Sequence, residues 1–153
     1  MKLSPQHLIG FEVKEVMVSS TQKVGEFRGF FLPREGGEEA KFVMLVKGSV
    51  VWFTVDLRPG ASFLHVSSHH FEELGEIKIF DKGYAHGMLA LENDAVLLLG
   101  SSEEYAEGGC WFSPLDPMLN FDSDSKVYLE KVESLNSSVF QELSQIITAR
   151  ELV

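Results

Sequence analysis

For most of its length the chain carries its apolar residues in short runs broken by turn residues, and only near the end does their spacing change. Lys41–Val46 (KFVMLV) reads as one strand, Gly48 interrupts it, and Ser49–Asp56 (SVVWFTVD) reads as the next, closed by the turn Arg58-Pro59-Gly60. Glu76–Phe80 (EIKIF) alternates, and Asp81-Lys82-Gly83 turns the chain. Met88–Leu91 and Ala95–Leu99 make two further strands on either side of Glu92-Asn93-Asp94. Ser62–Glu73 is polar and is expected to be a loop or a strand edge. Val50–Val55 is apolar on both faces, which predicts a sheet covered on both sides. From Val139 onward the apolar positions, Val139, Phe140, Leu143, Ile146, Ile147 and Leu152, form a helical stripe. Ser138, with Gln141 three residues later, supplies a capping box for it. The pattern predicts an all-β sandwich or barrel with one C-terminal helix packed on or beside it.

The length of 153 residues fits one domain, 1–153, with strands over roughly 10–130 and the helix over roughly 137–152. With 44% apolar residues and twelve Phe, the chain can build a core and is not a disordered segment. A formal net charge of −10 sets it against nucleic acid, whose phosphates demand clustered Lys and Arg, and against anionic membrane surfaces. No apolar run approaches the about 18 residues of a membrane helix, and MKLSPQHLIGFEVKEV lacks the apolar centre of a signal peptide. The single cysteine, Cys110, excludes an internal disulfide. The expectation is a cytoplasmic protein.

Candidate chemistry gathers around FDKGYAHGMLAL, Phe80–Leu91, where His86 stands among small and apolar residues. A histidine after a glycine turn is similar to the second motif of metal-binding cupin barrels. Those barrels also need a His-x-His on an earlier strand pair, and here the first histidine after His7 is His65. His65, His69 and His70 lie in the polar stretch and do not match that position, so no metal or other cofactor is expected. A metal-binding cupin remains the third reading. Cys110, in EGGCWF, has no histidine near it in sequence and reads as a buried thiol rather than a nucleophile. Gly36-Gly37 and Gly108-Gly109 read as turn glycines, because a phosphate loop needs its glycines between a strand and a helix.

Two segments together resemble the dTDP-4-dehydrorhamnose 3,5-epimerase family, cupin-type enzymes of deoxysugar biosynthesis. In Gly25–Gly60 an Arg-Gly pair, a loop, a Lys opening a strand, a Gly turn and a strand ending in Asp-x-Arg follow the family order. In Asp81–Pro117 the Gly-Tyr-Ala-His-Gly turn, the spacing to Tyr105-Ala106 and the Asp-Pro near the end are similar to the family. The resemblance implies a cupin-like jelly roll and, with the apolar strands, a homodimer. It implies substrate contacts from Arg28 and Arg58, and catalytic or polarising roles for Lys41, His86 and Tyr105. Its ligand would be a small-molecule sugar nucleotide.

The departures bear on the reaction. The family places its general base two residues after the Arg-Gly pair and its general acid, a tyrosine, on the strand after the Ala-His-Gly turn. Those positions here are Phe31 and, by ungapped counting, Leu99. Neither can carry a proton. Phe31 is expected instead to point into the barrel mouth as an apolar wall beside Lys41. The 24 residues before Gly25 are fewer than the family carries there, which predicts a weaker grip on the nucleotide. The expected function is a protein of nucleotide-sugar or polysaccharide biosynthesis that binds or isomerises a sugar nucleotide without standard 3,5-epimerase activity. A non-catalytic sugar-nucleotide-binding or scaffold protein is the alternative.

Overall fold

The computed structural model describes residues 10–33, 39–105, 107–135 and 140–150. In chain order these form β1 (Glu15–Ser20), β2 (Glu26–Leu32), β3 (Lys41–Lys47), β4 (Val50–Asp56), β5 (His65–Phe71), β6 (Ile77–Phe80), β7 (Tyr84–Ala90) and β8 (Val96–Ser101). They continue as β9 (Cys110–Trp111), β10 (Asn120–Phe121), α1 (Ser123–Leu129), β11 (Ser134–Leu135) and α2 (Leu143–Arg150). Two sheets result. The smaller has the order β1-β8-β3-β6, and the larger runs β10-β5-β4-β7-β2-β11 with β9 also paired to β2. All pairings are antiparallel except the short β10–β5 and β11–β2 contacts. This is a jelly-roll-type β-sandwich.

Two apolar layers hold it. Alternate residues of the larger sheet, including Val50, Trp52, Phe71 and Met88, pack with Val43, Leu45, Leu97 and Leu99 of the smaller one. The opposite face carries Phe27, Phe30, Val51, Phe53 and Val55, and Leu143, Ile146 and Ile147 of α2 lie in the same cluster. Every residue of β4 is therefore buried. The two-sided apolar character of Val50–Val55 is satisfied within one chain, by a sheet on one side and a helix on the other. It is no longer an argument for a dimer.

Three sequence expectations change. Of the two readings of Ser62–Glu73 the strand edge holds and the loop does not: His65–Phe71 is a full strand with six residue pairs to β4 and, on its other side, only two to β10. Its polar side chains are held by neighbours, Ser68 hydrogen-bonded to Ser125 at 3.1 Å and His69 to Thr54 at 3.3 Å. The C-terminal helix begins later than the capping box implies. Gln141 lies before it and donates its N–H to the Trp111 carbonyl at 2.9 Å, and the first turn is closed by Asp116, whose Oδ2 accepts from the Leu143 N–H at 3.0 Å. Ser138, Val139 and Leu152, like Gly36 and Gly37, lie outside the described residues. Finally, α1 has no counterpart in the apolar pattern. It is started by Asp122, which accepts from the Ser125 N–H at 2.7 Å, the usual way an Asp satisfies a free helix donor.

Candidate functional site

The pairing register builds a row of side chains across the face of the larger sheet that meets the smaller one. Trp111 pairs with Phe31, Phe31 with His86, and His86 with Thr54. One step along, Arg28 pairs with Met88, Met88 with Trp52, and Trp52 with His69. Register slips between Arg28 and Phe31, and this irregularity brings Phe31 opposite His86. Above these rows a cavity of about 380 Å³ opens between the sheets, lined among others by Arg28, Phe31, Lys41, Trp52, His86 and Leu99. Its size is that of a small-molecule site, which typically spans about 300–1,000 Å³.

Residues far apart in sequence thus meet here. Lys41, at the start of β3, is largely buried, lies 5.9 Å from the Trp52 ring centre and pairs with Glu39 at 2.9 Å. The apolar surroundings expected for Lys41 therefore hold only in part, because a carboxylate neutralises it. Phe31 packs on Trp111 with ring centres 4.9 Å apart and forms one wall. Leu99 is buried on β8 and forms part of another. Arg28 reaches the cavity with its guanidinium held by Glu26 at 2.8 Å. Tyr105 stands at the rim, 65% exposed, with its backbone N–H bonded to Glu15.

Arg58 does not join them. It folds back on Asp56 through two side-chain hydrogen bonds, at 3.0 and 2.9 Å, and stacks over Tyr84 at 4.9 Å. The Arg58 hydrogen bonds hold the Asp56 carboxyl below its usual range. Arg58 does not line the cavity in this conformation. Glu39 and Trp111 were not marked by sequence reasoning. Glu39 sits two residues before Lys41, so its place at the mouth of β3 was the available signal, while Trp111 belongs to a two-residue strand with no pattern of its own.

His86 is 6% exposed, and its Nδ1 accepts a hydrogen bond from Trp52 Nε1 at 2.9 Å. Burial, then the Lys41 charge, pushes its pKa well below the ordinary 6.5. His69, whose Nε2 lies 3.3 Å from Thr54 Oγ1, is lowered by burial and by Lys78. His65 and His70 serve elsewhere, on Asp122 at 3.6 Å and Ser49 at 3.1 Å. Among the described residues no three His, Cys, Asp or Glu side chains come together to hold a metal ion. Cys110 is buried with its thiol pushed up by burial, and Arg150 lies 3.5 Å from its sulfur, so it is no activated nucleophile. No described helix is long and apolar enough to cross a membrane.

These imidazoles make stability depend on pH. In the unfolded chain each titrates near 6.5, whereas in the fold His86 and His69 resist protonation. Below about pH 6.5 the unfolded state binds more protons, so stability falls as pH falls, until the folded pKa values are reached. His86 alone contributes a slope of up to about 1.4 kcal/mol per pH unit. Urea midpoints compared just above neutrality and in mild acid should show this loss, and His86→Gln should flatten it. A midpoint independent of pH in the parent protein would contradict the assignment.

Comparison with known proteins places this geometry. The family profile described as dTDP-4-dehydrorhamnose 3,5-epimerase matches residues 2–138. No curated protein sequence matches the chain. Among solved structures, the rmlC epimerase of Mycobacterium tuberculosis is similar with 25% identity and a TM-score of 0.75, over 97% of this chain and 76% of that one. A 3'-monoepimerase of Streptomyces bikiniensis, solved with dTDP-quinovose, has 23% identity and a TM-score of 0.75, over 97% and 75% of the two chains. The dTDP-4-dehydrorhamnose 3,5-epimerase of Elizabethkingia anophelis has 21% identity and a TM-score of 0.73, over 92% and 79%. The jelly roll and the profile agree, and this chain belongs to the dTDP-4-dehydrorhamnose 3,5-epimerase family.

Proposed function

We propose that this family member binds a dTDP-linked sugar in the cavity between its sheets and does not carry out 3,5-epimerisation. The observation that supports this most is the wall made by Phe31 and Leu99, the two positions that the family resemblance gives to the general base and acid. Epimerisation beside a ketone removes a proton from one face and returns it to the other, which needs two proton carriers. What remains suits holding a sugar. Phe31 and Trp111 offer an aromatic surface for its apolar face. Lys41 offers donors for its oxygens, His86 lines the cavity beside it, and Arg28 brings a cation toward a phosphate. The similar 3'-monoepimerase solved with dTDP-quinovose supports a dTDP-linked sugar as the ligand class.

The Glu39–Lys41 pair supports a second reading, in which a single carboxylate base and the Lys41 ammonium isomerise a keto sugar, with His86 beside it and Tyr105 at the rim. Solvent deuterium entering a bound keto sugar, and lost in Glu39→Gln, would select that reading. The proposal also includes a homodimer in the cytoplasm. Its support is β1, an edge strand of the smaller sheet with Val16, Met17 and Val18 exposed, and a lone cysteine suited to a reducing compartment.

Titration calorimetry with dTDP and dTDP-glucose tests the proposal, with Phe31→Ala as the informative variant. Phe31 is only half-buried on an open wall, so truncation should cost about 1–2 kcal/mol of stability, below the 3–5 of an enclosed ring. Affinity for dTDP-glucose should fall at least about tenfold, or 1.4 kcal/mol. Unchanged affinity, or no binding by the parent protein, contradicts the proposal.

A further inference from the structure

The aromatic wall of the cavity rests on very little sheet. Phe31 and Trp111 are cross-strand partners, but β9 pairs with β2 at only two positions, Phe31 with Trp111 and Leu32 with Cys110. Beside them the Phe30 and Phe112 backbones exchange N–H···O bonds of 2.9 and 3.0 Å. The Phe31 ring also sits on Gly109, where an added Cβ would lie 2.4 Å from its Cζ. The segment Gly108–Trp111 therefore sets where both rings stand. That segment is held from its other side by α2. Just before the helix, the Gln141 N–H bonds the Trp111 carbonyl at 2.9 Å, and at its start the Leu143 N–H bonds Asp116 at 3.0 Å. At its end, Arg150 reaches back to the Pro33 carbonyl at 2.6 Å, the Gly108 carbonyl at 3.3 Å and the Cys110 sulfur at 3.5 Å. Pro33 follows β2, and Gly108 and Cys110 flank Gly109. One guanidinium thus ties together the two chain segments that carry the wall, a task its planar fork of donors suits. Arg150 itself does not line the cavity. An eight-residue helix is too short to persist alone in water, so its apolar contacts and these polar ties are made and lost together.

We propose that Arg150 is a positioning residue: through it α2 clasps β2 to the Gly108–Trp111 segment, and docking of this helix is coupled to occupancy of the cavity. The inference rests on the sugar-nucleotide reading of the cavity. A ligand laid against Phe31 and Trp111 needs both rings in place, so it binds the clasped form better than the released one and holds the helix down. By linkage, whatever releases the helix weakens the ligand. The chain carries its own reporter of the two forms. Its single cysteine, Cys110, is buried in the same apolar cluster as Leu143, Ile146 and Ile147, beneath Arg150, and meets solvent when the helix leaves.

Alkylation of Cys110 by iodoacetamide tests the clasp in the parent protein. Labelling should proceed through local release of α2, which exposes little surface, so its rate should hardly change in urea well below the unfolding midpoint. A rate that follows global unfolding from the lowest urea overturns the clasp. Arg150→Ala should speed labelling at least about tenfold, the effect of losing one charge-assisted hydrogen bond. Asp116→Ala frees the opposite end of α2 and should speed it at least about threefold. Acceleration by Arg150→Ala alone would mean that the guanidinium merely shields the thiol, and overturns release of the helix as a unit. With dTDP-glucose at about ten times its Kd, labelling of the parent protein should slow about tenfold. In calorimetry Arg150→Ala should weaken dTDP-glucose binding at least about fivefold, the low end of such couplings. Binding by the parent protein that leaves labelling unchanged, or equal affinity in Arg150→Ala, overturns the coupling alone. Absence of binding by the parent protein overturns the coupling and the sugar-nucleotide reading together.

Discussion

Incubated with dTDP-4-keto-6-deoxyglucose, the protein should form no epimerised product above background. A positioned acid or base contributes about 10²–10⁴-fold, and the two positions that the family resemblance gives to them hold Phe31 and Leu99. Together an acid and a base represent about 10⁴–10⁸ in rate, or roughly 5–11 kcal/mol of barrier. A fixed positive charge such as that of Lys41 favours an enolate oxygen, but stabilising the intermediate does not remove the C–H proton. Phe31 and Leu99 present only carbon to the substrate. Proton NMR of the sugar over a long incubation is a sufficient assay. Robust turnover abolished by Lys41→Ala and His86→Ala would show that the acid and base lie elsewhere in this cavity. Turnover that survives both substitutions would place the site outside it.

Gly29→Ala should destabilise the fold by about 3 kcal/mol or more, through overpacking of about 1–3 and backbone strain of about 1–3. Gly29 has φ +121°, and a Cβ built on it would lie 2.7 Å from the Gly87 Cα and 2.8 Å from the His86 carbonyl oxygen. Both are backbone atoms of β7, so no side chain can swing aside. The position lies within the irregular register that sets Phe31 opposite His86, so relief would come from shifting the site itself. For a domain of this size each kcal/mol moves the melting temperature by about 2–4 °C, which predicts a fall of roughly 6–12 °C. Gly60→Ala is the control. Gly60 also has positive φ, +134°, but a Cβ there meets nothing within 4 Å, so its loss should be smaller. Equal melting temperatures for Gly29→Ala and the parent protein would show that β2 and β7 can part without cost.

The strands that sequence reveals are those whose side chains report their surroundings directly. Lys41–Val46 and Ser49–Asp56 are dense in β-branched and aromatic residues because β3 and β4 lie in the sandwich core. β5 is hidden because Ser68, His69 and His70 settle their polar groups on Ser125, Thr54 and Ser49, a compensation only the folded chain supplies. α1 is hidden for a related reason. It is seven residues long, held by the Asp122 cap and by buried Ser125 bonding to Val66 and Ser68, with too few apolar positions to show a period.

The site divides along the same line. Lys41, His86, Phe31 and Leu99 were legible through the two family-like segments, which fix their order along the chain, and strand pairing brings them around one cavity. Arg58 stands apart from the cavity, and the Asp-x-Arg spacing does not say which way the side chain turns. A carboxylate two residues earlier captures it. The Trp52–His86 bond was not legible, since a tryptophan within an apolar strand reads only as core until the register places its indole nitrogen beside an imidazole.

The most direct measurement is a crystal structure of the protein with dTDP-4-keto-6-deoxyglucose. The hexose should lie between the two sheets, its face against Phe31 and Trp111, beside His86, with a sugar oxygen within hydrogen-bond distance of Lys41 Nζ. A sugar bound at another surface, or lying in this cavity without touching Lys41 and His86, would contradict this placement.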